Sequence, residues 1–130
     1  MNPSPKKTAV VSSRAPNPLG PYPHARRVGH LLFLSGMGPR QRDSERIPEG
    51  IEAQTRACIE NVKAILEDAG SSLEKVVDVT VFLTNIDRDF AVFNRVYGEY
   101  FEGIRPTRTT VGVVALPVPI SVELKIIAES

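Results

Sequence analysis

Arg105-Pro106-Thr107-Arg108-Thr109-Thr110-Val111-Gly112-Val113-Val114 is the stretch on which the reading of this chain turns. It reads as a β-strand charged only by arginine. Side chains alternate between the two faces of a strand. Thr109, Val111 and Val113 therefore share one side, and Arg108, Thr110 and Gly112 share the other. The first side is apolar enough for a core. The second offers a guanidinium, a hydroxyl and bare backbone. That set suits a small carboxylate, because one arginine binds both carboxylate oxygens at once. The next apolar run, Ser121 to Ala128, alternates in the same way, with Val122, Leu124 and Ile126 on one face and Ser121, Glu123 and Lys125 on the other. The pattern predicts that Arg108 and Glu123 reach one space, as an anchor beside a water-activating base. The plainer alternative is a surface or interface ion pair, with Glu123 as the arginine's partner.

Composition narrows the classes. The chain has 130 residues, which is room for one compact domain, and 42% are hydrophobic, which supports a core. Sixteen basic residues against fifteen acidic ones leave a net charge of +1. That balance supplies no electrostatic footprint for a nucleic-acid backbone. The lone Cys58 has no partner for an internal disulfide and falls on a predicted helix core, so a reducing compartment fits. No apolar run approaches the length of a membrane span, and no apolar signal core follows Lys6 and Lys7. The expectation is a cytoplasmic protein without membrane or nucleic-acid partners, with residues 1–6 a flexible tail on a single domain of residues 1–130.

Outward from the opening stretch, periodicity predicts the remaining elements. Lys7 to Ser12 is a short strand. Pro16, Pro18, Pro21 and Pro23 make Ser13 to His24 a loop. Ala25 to Val28 and Leu31 to Ser35 flank Gly29-His30 as a hairpin. Gly36 to Gly50 is polar and reads as a mobile loop. From Ile51 to Ala69, Cys58, Val62, Ile65, Leu66 and Ala69 recur at helical spacing, and Gly70 sits where a C-cap belongs. Val76 to Leu83 is a strand with Val77, Val79, Val81 and Leu83 as its apolar face. Asp87 or Asp89 caps a second helix striped by Phe90, Phe93, Tyr97 and Tyr100 and ending near Gly103. The order is β-β-β-α-β-α-β-β. It predicts an α+β fold, a mixed six-stranded sheet with both helices on one face. The uncovered face then calls for a homo-oligomer in which free faces meet.

Several motifs in this order resemble the RidA family, also called YjgF or L-PSP. They are Gly20-Pro21-Tyr22, Leu34-Ser35-Gly36, Gln54-Thr55-Arg56 through Asn61-Val62, Val79 to Leu83, Pro106-Thr107-Arg108 and Val122-Glu123-Leu124. The resemblance implies a chorismate-mutase-like fold and a homotrimer with three sites at subunit interfaces. It also implies enamine/imine deaminase activity with no metal and no organic cofactor. Within the family, Tyr22-Pro23-His24, Ala53 to Ala57, Tyr97 to Phe101 and Pro106 to Val111 look like the 2-aminomuconate deaminase subgroup. That subgroup hydrolyses a 2-amino-unsaturated carboxylate to a 2-oxo acid and ammonia. Generic members carry Ser-Cys or a similar pair where this chain has Thr109-Thr110.

The resemblance assigns roles residue by residue. Arg108 anchors the substrate carboxylate, and Glu123 orients and activates water. Tyr22 and Asn94 match family positions at the substrate site; position alone adds Ser35 and Gly36, at a strand end where backbone can approach a ligand, and Thr110, on the face of Arg108. A dicarboxylate such as 2-aminomuconate needs a second cation, for which His24, Arg26, Arg27 and Arg40 are the candidates. A monocarboxylate imine needs none. The competing classes are a generic 2-imino-acid deaminase, a non-catalytic small-acid-binding trimer and an L-PSP-type endoribonuclease. There is no His or Cys pair at metal-ligand spacing, no phosphate loop and no Ser-His-Asp set.

Overall fold

A computed structural model describes residues 8–130. The sequence's predicted tail, residues 1–6, and Lys7 of the first strand lie outside the described residues. The chain runs β1 (Thr8–Val10), β2 (Ala25–Val28), β3 (Leu31–Leu34), α1 (Ile51–Asp68), β4 (Val76–Leu83), α2 (Ile86–Phe101), β5 (Thr107–Gly112) and β6 (Val122–Glu129). A 3-10 turn, Leu73–Lys75, leads into β4. The order matches the expectation. The strands form one sheet in the order β1-β2-β3-β6-β4-β5. Only β4 and β5 run parallel, joined by the α2 crossover. The other neighbours are antiparallel, so the sheet is mixed.

Both helices cover one face. Their buried residues, among them Cys58, Ile59, Val62, Ile65 and Phe93, meet Val79, Val81, Leu124 and Ile126 of the central strands. The Cys58 thiol sits at the Val122 carbonyl, and burial pushes its ionisation well up, so it is an inert core group. Helix α1 stops as Gly70 predicts. Ser71 N–H donates to Leu66 O at 2.7 Å and Gly70 N–H to Glu67 O at 3.0 Å, with Gly70 at φ +81°. That is the Schellman pairing, which needs a left-handed residue.

Four local expectations are corrected. Asp87 and Asp89 do not cap α2. Asn85 does, accepting from Arg88 N–H at 3.2 Å, while Asp89 is buried and gripped by the Arg88 guanidinium at 2.7 and 2.8 Å. In β4 a bulge at Val76/Asp78 moves Val77 out of the apolar face, so Val76 is buried in its place and Val77 is exposed. In β5 the faces are exchanged. Thr109 and Val111 lie on the open side of the sheet, and Arg108 and Thr110 turn toward α2. The 36–50 segment is tied down and does not hang free. Met37 and Leu124 exchange both backbone hydrogen bonds (2.8 and 2.9 Å), and the Asn61 amide donates to the Gly38 and Arg40 carbonyls at 2.9 Å each.

The cap correction is open to measurement. Asn85→Ala should lower unfolding free energy by about 1 kcal/mol, the usual worth of an N-cap side chain. Asp87→Ala should cost less than half of that in the same denaturant titration, because it contributes only through the helix dipole.

Candidate active site

Glu123 is placed by backbone pairing. The Met37–Leu124 exchange brings the end of β3 beside the start of β6, so Gly36 lies against Glu123. A Cβ at Gly36 would sit 2.8 Å from Glu123 Oε2 and 3.0 Å from its Cδ. Glycine is what leaves room for the carboxyl. Tyr22, Ser35, Gly36, Arg40, Ile120 and Glu123 line one hollow there. Among the described residues Glu123 has no ion pair and no hydrogen bond, so neither Arg108 nor Lys125 neutralises it. Lys125 instead gives its ammonium to the Leu34 carbonyl. Partial burial holds the Glu123 carboxyl above the ordinary carboxylate range. An unpaired acid whose pKa is raised by burial in a hollow is equipped to pass protons.

The hollow's other polar groups are partly committed. Ser35 Oγ donates to Pro23 O at 2.7 Å, and its N–H donates to His24 O at 2.9 Å, so only hydroxyl lone pairs face a ligand. Tyr22 is half-exposed and braced by its own loop. Its phenol oxygen accepts from Leu19 N–H at 3.3 Å, and Gly20 leaves no room for a side chain beside the ring.

Of the four cations considered for a second carboxylate, two lie away from the hollow and a third, His24, borders it with both nitrogens engaged. His24 is buried, with Nδ1 accepting from Ser12 N–H at 2.9 Å and Nε2 at 2.8 Å from Pro16 O. Nδ1 as an acceptor leaves the proton on Nε2, so this is a neutral imidazole satisfied by backbone on both sides. The ring borders the hollow without a free nitrogen for substrate. Arg27 donates to Ala69 O at the end of α1. Arg26 lies in register with Phe33 on the open face of the sheet. Arg40 alone is a cation in the hollow's wall, with its side chain 11% exposed and bonded to Asn17 O at 2.7 Å and Glu45 at 3.0 Å.

Arg108 belongs to a second cluster. It pairs in register with Val79, under α2. Its guanidinium carbon lies 4.8 Å from the Tyr97 ring centre, 5.7 Å from that of Phe93 and 5.9 Å from that of Phe90. No acid pairs with it among the described residues. On one side it borders a hollow with Phe90 and Thr110, and on the other a hollow with Asn94, Tyr97 and Arg105. The Thr110 hydroxyl is buried without a partner. Sequence reading took Phe90, Phe93 and Tyr97 only as a packing stripe. Their 3.6-residue spacing carries that message, and nothing in it shows which strand residue the stripe covers.

The expectation that Arg108 and Glu123 share one space is corrected for a single chain. Glu123 stands beside Phe82, and Phe82 beside Val111, so those three share the open face. Arg108, three residues before Val111, projects from the opposite face. The structure thus gathers Tyr22, Ser35, Gly36 and Glu123 in one cluster, and Asn94, Arg108 and Thr110 in another. Among the described residues, no group of three or more His, Cys, Asp or Glu side chains is placed to hold a metal ion. Among the described residues no helix is long and apolar enough to cross a membrane.

Comparison with known proteins places the chain in a family. A family model described as Endoribonuclease L-PSP matches residues 12–130. A RutC family protein of Pyrococcus abyssi is 44% identical over 123 residues, covering 94% of this chain and 96% of that one. TdcF of Escherichia coli, by name a candidate reactive intermediate deaminase, is 37% identical over 125 residues, covering 94% of this chain and 96% of its own. The crystal structure of E. coli TdcF with bound serine matches with a TM-score of 0.90 at 36% identity, over 95% of this chain and 99% of that one. That of YEO7 from yeast matches with a TM-score of 0.92 at 38% identity, over 96% and 99%. On this evidence the chain belongs to the RidA/YjgF family, whose model carries the name endoribonuclease L-PSP.

Proposed function

We propose that this protein is an enamine/imine deaminase whose site forms where the Glu123 cluster of one copy meets the Arg108 cluster of another. The carrying observation is that two unneutralised groups of opposite charge, each in a prepared setting, stand on opposite faces of one sheet. The open face supports association. Val28, Leu31, Phe33, Val77 and Val111 are each between 37% and 44% exposed there, an apolar surface of the kind that marks an interface. A homotrimer, which the family resemblance implies, is the assembly we favour. TdcF, with its name and its bound amino acid, supports a small carboxylate as ligand.

In this reading Arg108 holds the carboxylate next to the reacting carbon with its paired N–H groups, and Thr110 adds a hydroxyl donor. An enamine first takes a proton on carbon from the Glu123 carboxylic acid, giving the iminium and the Glu123 carboxylate. Glu123, as carboxylate, takes a proton from water while the oxygen bonds to the iminium carbon. The resulting carboxylic acid returns the proton to nitrogen, and as the C–N bond breaks and ammonia leaves, the Glu123 carboxylate takes the hydroxyl proton and the 2-oxo acid forms. Tyr22 closes the hollow over a planar substrate, and Asn94 lines the opposite wall. The favoured substrate class is a 2-amino-unsaturated carboxylate. For 2-aminomuconate, the far carboxylate would meet Arg40, the one candidate cation in the hollow's wall. An endoribonuclease role draws no support from a net charge of +1.

Glu123→Gln should lower kcat by about 100-fold or more while leaving carboxylate affinity in place. Arg108→Ala should lose both. An equal mixture of the two variants, unfolded and reassembled together, should recover about a quarter of wild-type activity, since half the copies supply Glu123 and half of their neighbours supply Arg108. No recovery in that assay sinks the shared site.

Stability gives a second check. The Glu123 pKa is raised in the fold, so the native state binds more protons than the unfolded chain. Its favourable contribution is present below the ordinary carboxylate pKa and is lost as pH rises through the raised value. Glu123→Gln should therefore melt at or above the wild-type temperature at neutral pH, with the gap narrowing as pH falls to about 4.

A further inference from the structure

We infer that Tyr97 is a positioning residue whose ring, with those of Phe93 and Phe90, forms the platform that holds the Arg108 guanidinium in place and free of any acid partner. The inference rests on the reading of Arg108 as the carboxylate anchor. A half-buried arginine ordinarily takes an acid. Here every nearby acid is engaged elsewhere or out of reach. Asp78 accepts from Thr107 Oγ1 at 2.6 Å, and Glu102 pairs with Arg105 at 3.2 Å. Asp87 borders one of the Arg108 hollows and forms no ion pair with it. The guanidinium carbon lies over aromatic rings instead, the nearest centre at 4.8 Å, and none of its N–H groups has a hydrogen-bond partner among the described residues.

That substitution has a chemical consequence. A ring offers no strong acceptor, so the five guanidinium N–H donors stay unspent beside it. An acid partner would occupy them and would have to be displaced by every substrate. Aromatic faces attract the cation through their quadrupoles without competing for its hydrogens. The platform is itself held rigid. Tyr97 stacks on Phe101 with ring centres 4.5 Å apart and lies 5.7 Å from Phe93. The Tyr97 hydroxyl is buried without a partner, and burial pushes its ionisation up to about 12, so the ring stays neutral.

The test compares Tyr97→Leu, which removes the ring, with Tyr97→Phe, which keeps it. The readouts are the Arg108 Nε–H resonance in NMR and steady-state kinetics on a 2-imino acid generated in situ. In the wild type, ring currents should place the Arg108 resonance upfield of exposed arginines. Tyr97→Leu should return it toward the free position and raise KM about tenfold, with a smaller change in kcat. Tyr97→Phe should keep the shift and stay within about twofold of wild-type KM. An unmoved resonance in Tyr97→Leu, an unmoved KM, or a Tyr97→Phe variant as impaired as Tyr97→Leu overturns the proposal. If Tyr97→Leu does not fold, Phe90→Leu decides. Its ring is 39% exposed at the platform's edge, and an Arg108 resonance and KM both unchanged there count against the platform. A wild type that hydrolyses no imine removes the deaminase reading, while the resonance still reports on the rings.

Discussion

The two-residue period of a β-strand is the constraint on which this molecule depends. The register of β5 on β4 is set by an unbroken backbone ladder, and that of β4 on β6 by a ladder interrupted only at the Val76/Asp78 bulge. Once they are set, every side chain along them belongs to one face or the other. Arg108 falls under α2, and Glu123 falls on the open face. A register slip of one residue would bring Arg108 to the open face and bury Thr109 and Val111 under the helices. The apolar ladder of Val79, Val81 and Leu83 against Leu124 and Ile126 opposes that slip, because the same shift would expose the core.

Two unneutralised ionisable groups are costly in so small a fold, and the chain manages each differently. Arg108 is compensated by aromatic faces, which give a cation attraction without taking its hydrogens. Glu123 receives no compensation beyond space. It sits where Gly36 leaves a gap, and its response is a raised pKa. The contrast follows from chemistry. A guanidinium does not shed its proton in a protein, so it must be solvated by something, whereas a carboxyl escapes burial by protonating. The same neighbourhoods that tolerate these groups also leave them chemically available.

Loops complete the arrangement. The 13–24 segment carries Tyr22, and it is fastened by His24, Arg40 and Arg42, which bond backbone atoms of Ser12, Ala15, Pro16 and Asn17. Polar side chains on buried backbone replace regular structure in a stretch where four prolines prevent it. His24 is therefore part of the frame around the hollow, and its conformation serves Tyr22 and Ser35 through their shared backbone.

Element order, the mixed character of the sheet, the Gly70 stop of α1 and the core placement of Cys58 were all legible in the sequence, because each depends on local periodicity or on one residue's backbone freedom. Asn85 as cap was not, since Asp87 and Asp89 offer the same chemistry within one turn and only the helix's true start chooses among them. The bulge at Val77 was hidden for a like reason: apolar alternation runs straight through it, and only the partner strand shows the extra residue. Single-strand alternation also fails to say which face meets the helices, so Arg108 and Glu123 were wrongly given a common side. By itself the sequence determined the strands, the helices and the residue types able to hold a carboxylate and move a proton. Tertiary structure alone decided how those residues divide between two faces, because facing is a relation between strands in register and is written in no single segment.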